Sequence, residues 1–175
     1  MESDAAATPE PTAEPTVEPT ETPVPEPTIA VEASNALAKY KFEGGTLTFY
    51  DGGLITEELL FSALEEYGIG DYDVSKVVIE EGIVSIGENA FYCWSMENLE
   101  LPDSVTSIGE NAFSNCPKLT KVTFPASVTS IGEDAFTYEP ELYNISAGSI
   151  VVSAPAGSYA ESWAKENYYM SLSGE

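Results

Sequence analysis

A nine-residue phrase, written three times, constrains this chain more than any other feature. Val105-Thr106-Ser107-Ile108-Gly109-Glu110-Asn111-Ala112-Phe113 returns 23 residues later as Val128-Thr129-Ser130-Ile131-Gly132-Glu133-Asp134-Ala135-Phe136. An earlier copy, Ile83-Val84-Ser85-Ile86-Gly87-Glu88-Asn89-Ala90-Phe91, stands 22 residues before the first. A unit this short cannot bury its own apolar face, so copies at this period imply a solenoid in which neighbours bury each other. Stacked at the inter-strand spacing of about 4.8 Å, equal positions become columns. Ile86/Ile108/Ile131 and Phe91/Phe113/Phe136 are then continuous apolar files. Ala90/Ala112/Ala135 stays small where the chain passes close to the core, and Gly87/Gly109/Gly132 permits the bend of each turn.

Alignment on this phrase predicts four short parallel strands, at residues 76–79, 98–101, 121–124 and 144–146. Val77, Leu99, Val122 and Ile145 share one inward place, Ile79, Leu101 and Phe124 another, and Met96, Leu119 and Leu142 a third. Pro102 and Pro125 follow their strands, where a missing N–H breaks no ladder. The first copy is one residue short between Phe91 and Met96.

The ends of such a stack need covers. Upstream, alternating runs at 38–42 and 46–50 flank Gly44-Gly45 and predict a hairpin. Asp51-Gly52-Gly53 reads as a turn. Thr56 is placed to cap a helix with Glu57 and Glu58 in its first turn, Leu60, Phe61 and Leu64 on one face, and Gly68 as its stop. Downstream, Ile150-Val151-Val152 precedes Ser158 and Glu161, a capping box opening a helix with Tyr159, Ala160, Trp163 and Ala164. The organisation expected is a stalk over 1–33, an N-terminal hairpin-helix cap over 34–74, repeats over 75–149, and a C-terminal strand and capping helix over 150–175: an α/β solenoid with a parallel sheet.

The stalk follows from composition. Of 12 prolines, 7 fall in the first 32 residues, with 8 acids and no Lys or Arg. Glu10-Pro11-Thr12, Glu14-Pro15-Thr16 and Glu18-Pro19-Thr20 recur every four residues. Proline pre-sets φ and extends its predecessor, so about 27 such residues would reach roughly 80 Å as a semi-rigid spacer. A stalk directly after the first Met reads as a mature form from which an export signal or lipid anchor has been removed, and hence as extracellular or cell-surface.

Charge excludes partners. Thirty acids against six lysines, with no His, give a net charge of −24. Such a surface repels phosphate backbones and anionic lipid, so neither nucleic acid nor direct membrane insertion is expected. Without His there is no Ser-His-Asp or Cys-His arrangement, no Gly-rich phosphate loop appears, and no carboxylate pair is marked by its context. The chain reads as a non-enzyme without a cofactor, and as a monomer.

The chain resembles the BspA-like (Treponema pallidum-type) leucine-rich repeat family. The resemblance rests on Val-Thr-Ser-Ile-Gly-Glu-Asn-Ala-Phe, on Asn115-Cys116-Pro117-Lys118-Leu119-Thr120-Lys121-Val122-Thr123-Phe124-Pro125, and on the closing segment from Gly157 to Asn167. It covers about residues 75 to 170. It implies a right-handed coil stack with a parallel sheet, in bacterial surface or secreted proteins often linked to adhesion, and it brings no catalytic residues.

The candidate ligand surface is the outward sheet face: Lys76, Val78, Asn98, Glu100, Lys121, Thr123, Asn144 and Ser146, suited to a protein or a glycan. Tyr92, Trp94 and Tyr138 gather at one set of turns, where rings can stack on sugars; aromatics covering coil edges are the plainer reading. Outward rows vary while inward rows do not, which favours recognition over the alternative of a structural spacer with no ligand. Cys93 and Cys116 occupy near-equivalent turns and are either a disulfide or two reduced thiols. Calcium could bridge the Glu88/Glu110/Glu133 and Asn89/Asn111/Asp134 columns or Asp71-Tyr72-Asp73, but solvated carboxylates are the simpler account, and no metal is expected.

Overall fold

The computed structural model describes residues 36–138, 150–167 and 170–173. The expected stalk and the expected strand at 144–146, with Leu142, Asn144, Ile145 and Ser146, lie outside the described residues.

Strands β1 (Lys39–Glu43) and β2 (Thr46–Tyr50) form the hairpin, turning through Gly44 and Gly45 at φ 56° and 79°. Only glycine adopts both angles without strain. β2 buries Leu47 and Phe49 fully. After Asp51-Gly52, strand β3 (Gly53–Ile55) leads into helix α1 (Glu57–Tyr67). Thr56 Oγ1 accepts from Leu59 N at 3.1 Å, and Gly68, left-handed at φ 62°, ends the helix.

The buried stripe of α1 is Leu59, Leu60 and Ala63, with Leu64 half-buried. Phe61 is not part of it: the ring is 61% exposed. A helix advances about 100° per residue, so once Leu59 and Leu60 point inward Phe61 must point away.

Each repeat then contributes two strands. β4 (Lys76–Ile79), β6 (Asn98–Glu100) and β8 (Lys121–Thr123) come from the predicted positions. β5 (Ile83–Ile86), β7 (Ser107–Ile108) and β9 (Ser130–Ile131) come from the repeated phrase itself and build a second sheet, not anticipated above, in the order β3-β5-β7-β9. Ser85 pairs with Ser107 and Ser107 with Ser130, all parallel. Beyond this sheet the backbone continues the stacking: Phe91 N–H donates to Ala112 O and Phe113 N–H to Ala135 O, both at 2.7 Å. Phe91, Phe113 and Phe136 stand in single file, as expected.

Two columns have causes other than those expected. Gly87, Gly109 and Gly132 do not have positive φ; the positive φ of 53° falls at Asn89, Asn111 and Asp134. The glycines are small because copies touch there: a Cβ on Gly109 would meet Glu88 N at 2.6 Å. Asn and Asp tolerate the left-handed turn better than other side chains, which explains that column without invoking a ligand.

The sheet of β4, β6 and β8 is not continuous. β4 ends a three-stranded sheet, β1-β2-β4, while β6 edges another, ordered β11-β10-β8-β6, with β10 at Ile150–Ser153 and β11 at Met170–Leu172. Spacing accounts for the break. β4 takes its place from β2, 30 residues upstream (Thr46 with Lys76), whereas β6 takes its place from β8, 23 residues downstream (Asn98 with Lys121). The strand beside β8 is also not 144–146 but β10, Val152 pairing with Val122.

Helix α2 (Tyr159–Glu166) follows Ser158, whose Oγ accepts from Glu161 N at 3.1 Å. The Glu161 carboxylate accepts from Gly157 N at 2.7 Å rather than from Ser158, so the box reaches one residue further back. Ala160 and Ala164 are buried and Trp163 packs on Phe124 and Phe136, but Tyr159 is exposed.

Candidate ligand-binding surface

β4 and β6 bring together the outward residues the sequence nominates, around the interrupted ladder. Lys76, Val78, Asn98, Glu100, Lys121 and Thr123 all line one open cleft of about 570 Å³. Strand alternation aims them there: Val77, Leu99 and Val122 turn inward and their neighbours outward. On β10, Val151 and Ser153 continue this face opposite Lys121 and Thr123.

The electrostatics single out two of the lysines. Lys39 is paired with Asp51, Lys41 with Glu80 at 3.8 Å, and Lys165 with Glu161 at 2.9 Å. Lys76, Lys118 and Lys121 have no ion pair among the described residues, and Lys76 and Lys121 both face the cleft. In a chain of net charge −24, two lysines left unneutralised beside Glu97 and Glu100 make this a mixed-charge surface rich in exposed donors.

The turn aromatics do not form a platform. Trp94 and Tyr138 are buried at 7% and 6% exposure, and Trp94 stands edge-on to Phe91 with centroids 5.4 Å apart. Tyr92 alone of the three is exposed, and its Oη accepts from Asn115 Nδ2 at 3.3 Å. The ring beside it is Phe61 of α1, which the sequence reading had turned inward; counting Leu59 into the helical stripe would have placed it outside.

Cys93 and Cys116 are not joined by a disulfide. The 22-residue register of the turns sets Cys93 level with Asn115: Cys93 N–H donates to Ser114 O, as Asn115 N–H does to Thr137 O. Cys116 is buried, its Sγ donating to Phe91 O at 3.2 Å, and burial pushes its thiol up to about 12, against a backbone hydrogen bond from Trp94. Among the described residues no group of three or more Cys, Asp or Glu converges to hold a metal ion. Glu88 and Glu110 instead accept from the amides of Asn89 and Asn111.

Residues 64–170 match the model of the BspA type leucine-rich repeat region (6 copies). The chain belongs to the BspA-type leucine-rich repeat family. The match begins inside α1 and ends at the first residue of β11. No curated protein and no solved structure matches the chain. BspA-type repeats are commonly surface modules that mediate protein interactions, and are generally non-catalytic. Among the described residues no helix is long and apolar enough to cross a membrane.

Proposed function

We propose that this chain is a non-catalytic recognition module, secreted or held at the cell surface, which binds a protein partner through the cleft between β4 and β6. The stacked copies act as a short right-handed solenoid, covered by the hairpin and α1 at one end and by α2 at the other, and carried on the Pro-Glu-Thr stalk of residues 1–33. The observation that carries the reading is the interrupted ladder, whose two facing strands bring both cleft lysines, neither with an ion pair, to one concave polar surface. Unpaired strand edges bind extended chain readily, because backbone donors and acceptors there lack partners. Burial of Trp94 and Tyr138 removes the stacking rings a glycan would use, which favours a protein ligand.

The test is selection of binders from a displayed library of linear peptides, followed by titration on the full chain and on a Lys76→Glu, Lys121→Glu variant. Both lysines are exposed, so folding is retained, and the reading expects selected peptides to be rich in Asp or Glu and to lose binding on the variant. Peptides that bind the variant undiminished, or a selection that yields none, would leave the structural spacer as the better account.

A further inference from the structure

A second recess lies away from the cleft, where α1 passes over the turn of the first repeat. Its volume is about 230 Å³, below the range of roughly 300–1,000 Å³ of sites that enclose a whole small ligand. Leu60 and Leu64 supply an apolar floor, Phe61 and Tyr92 present rings at its sides, and Glu57 and Asp71 stand at its rim. Phe61 and Tyr92 are 61% and 42% exposed, so the rings reach solvent instead of filling the core.

We propose that this recess receives a lysine or arginine side chain projecting from a basic segment of a partner protein. The charge argues for it. No lysine lines the recess, and α1 holds Glu57, Glu58, Glu65 and Glu66 with no basic residue. A neutral apolar ligand would leave those carboxylates unused, and an anionic one would be repelled. A long cationic side chain satisfies every wall at once: its methylenes cover Leu60 and Leu64, its charge lies against a ring face, and the rim carboxylates accept its hydrogen bonds. An exposed phenylalanine between acidic neighbours has no structural work in the monomer, whereas an apolar patch rimmed by polar groups is the usual mark of an interaction surface.

The experiment is an NMR titration of the isotope-labelled full chain with a short acetylated and amidated Gly/Ser peptide bearing one central arginine, and with its citrulline counterpart, which keeps the shape and loses the charge. Shifts are expected at Phe61, Leu64 and Tyr92. Citrulline, Phe61→Ala, and Glu57→Gln combined with Asp71→Asn are each expected to weaken binding about two- to fivefold. Phe61 is exposed, so its variant keeps the wild-type melting temperature and the comparison stays clean. The Lys76→Glu, Lys121→Glu variant is expected to titrate like wild type, which separates this site from the cleft. Equal binding of the citrulline peptide, shifts scattered over the acidic surface and unchanged by Phe61→Ala, or no shifts at all would each overturn the proposal.

Discussion

The rings of Phe91 and Phe113 lie 5.2 Å apart and within 4° of parallel. That separation is close to the inter-strand spacing, so the backbone repeat dictates the ring repeat. Phe136 continues the file at 5.1 Å, and Phe49 and Trp163 close its ends at 5.8 Å and 5.7 Å with their rings turned. Phe113 has a ring on both sides and is 1% exposed. Phe113→Ala removes two stacking contacts and leaves a void that rigid neighbours cannot fill, so it is expected to cost about 3–5 kcal/mol in urea unfolding. Phe61→Ala is expected to change stability by less than about 0.5 kcal/mol.

The turn after each Ile strand separates two demands that the sequence writes as neighbouring letters. At Gly109 the demand is space: an added Cβ would lie 2.6 Å from Glu88 N and 2.7 Å from Gly87 C, both backbone atoms. At Asn111 the demand is a φ of 53°. Gly109→Ala is expected to cost about 1–3 kcal/mol by forcing two copies apart. Asn111→Ala is expected to cost about 1–2 kcal/mol through backbone strain, while Asn111→Gly stays within about 0.5 kcal/mol of wild type. Thermal unfolding of the three variants checks this, and Asn111→Gly falling with Asn111→Ala would mean that the amide side chain matters more than the dihedral angle.

The start of α2 makes a pH-dependent prediction. Lys165 and the Gly157 N–H both bond the Glu161 carboxylate and hold it below the ordinary glutamate range, Lys165 contributing most. The native state therefore favours the charged form, so the stabilisation is complete above the unfolded value near 4.5 and is lost as pH falls below it. The stability difference between wild type and Glu161→Gln is expected to be constant at neutral pH and to shrink towards zero in acid. Ser158→Ala, which removes the cap, is expected to cost about 1 kcal/mol in chemical denaturation.

What could be read in advance was whatever the repeat enforces. Phe91, Phe113 and Phe136 are one residue type at one position, and stacking turns that identity directly into a column. The same logic placed Lys76, Asn98 and Lys121 on one face, where the cleft now collects them. What could not be read depends on relations between unlike segments. The break between β4 and β6 arises because the hairpin unit has its own 30-residue spacing, and no comparison among the copies reveals how that meets the 23-residue one. Val152 takes the place beside β8 that Ile145 was assigned, because β-branched runs close together in sequence compete for one edge and only packing decides between them. Trp94 was misread for a similar reason: the letter looks the same at a rim as under it.

The cysteines show how a one-residue shift in register changes chemistry. Counted from the sequence, Cys93 and Cys116 are 23 apart and look stacked; the turn ladder runs at 22, so Asn115 takes the position beside Cys93 and Cys116 turns inward. Cys93 is half-buried and Cys116 buried. Native-state treatment with iodoacetamide is therefore expected to alkylate Cys93, with Cys116 modified only after unfolding, as intact mass spectrometry would show. Burial favours the neutral Cys116 thiol, raising it from an ordinary value of 9.0 to about 12. The native state thus holds that proton more tightly than the unfolded chain. Its contribution to stability is fully present below pH 9 and is lost as pH rises from 9 towards 12. Cys116→Ala keeps the small apolar volume without the titration, so its unfolding free energy should fall less steeply than wild type across that interval. Equal slopes for the two proteins would show that the Cys116 thiol is not shielded from water in the native fold.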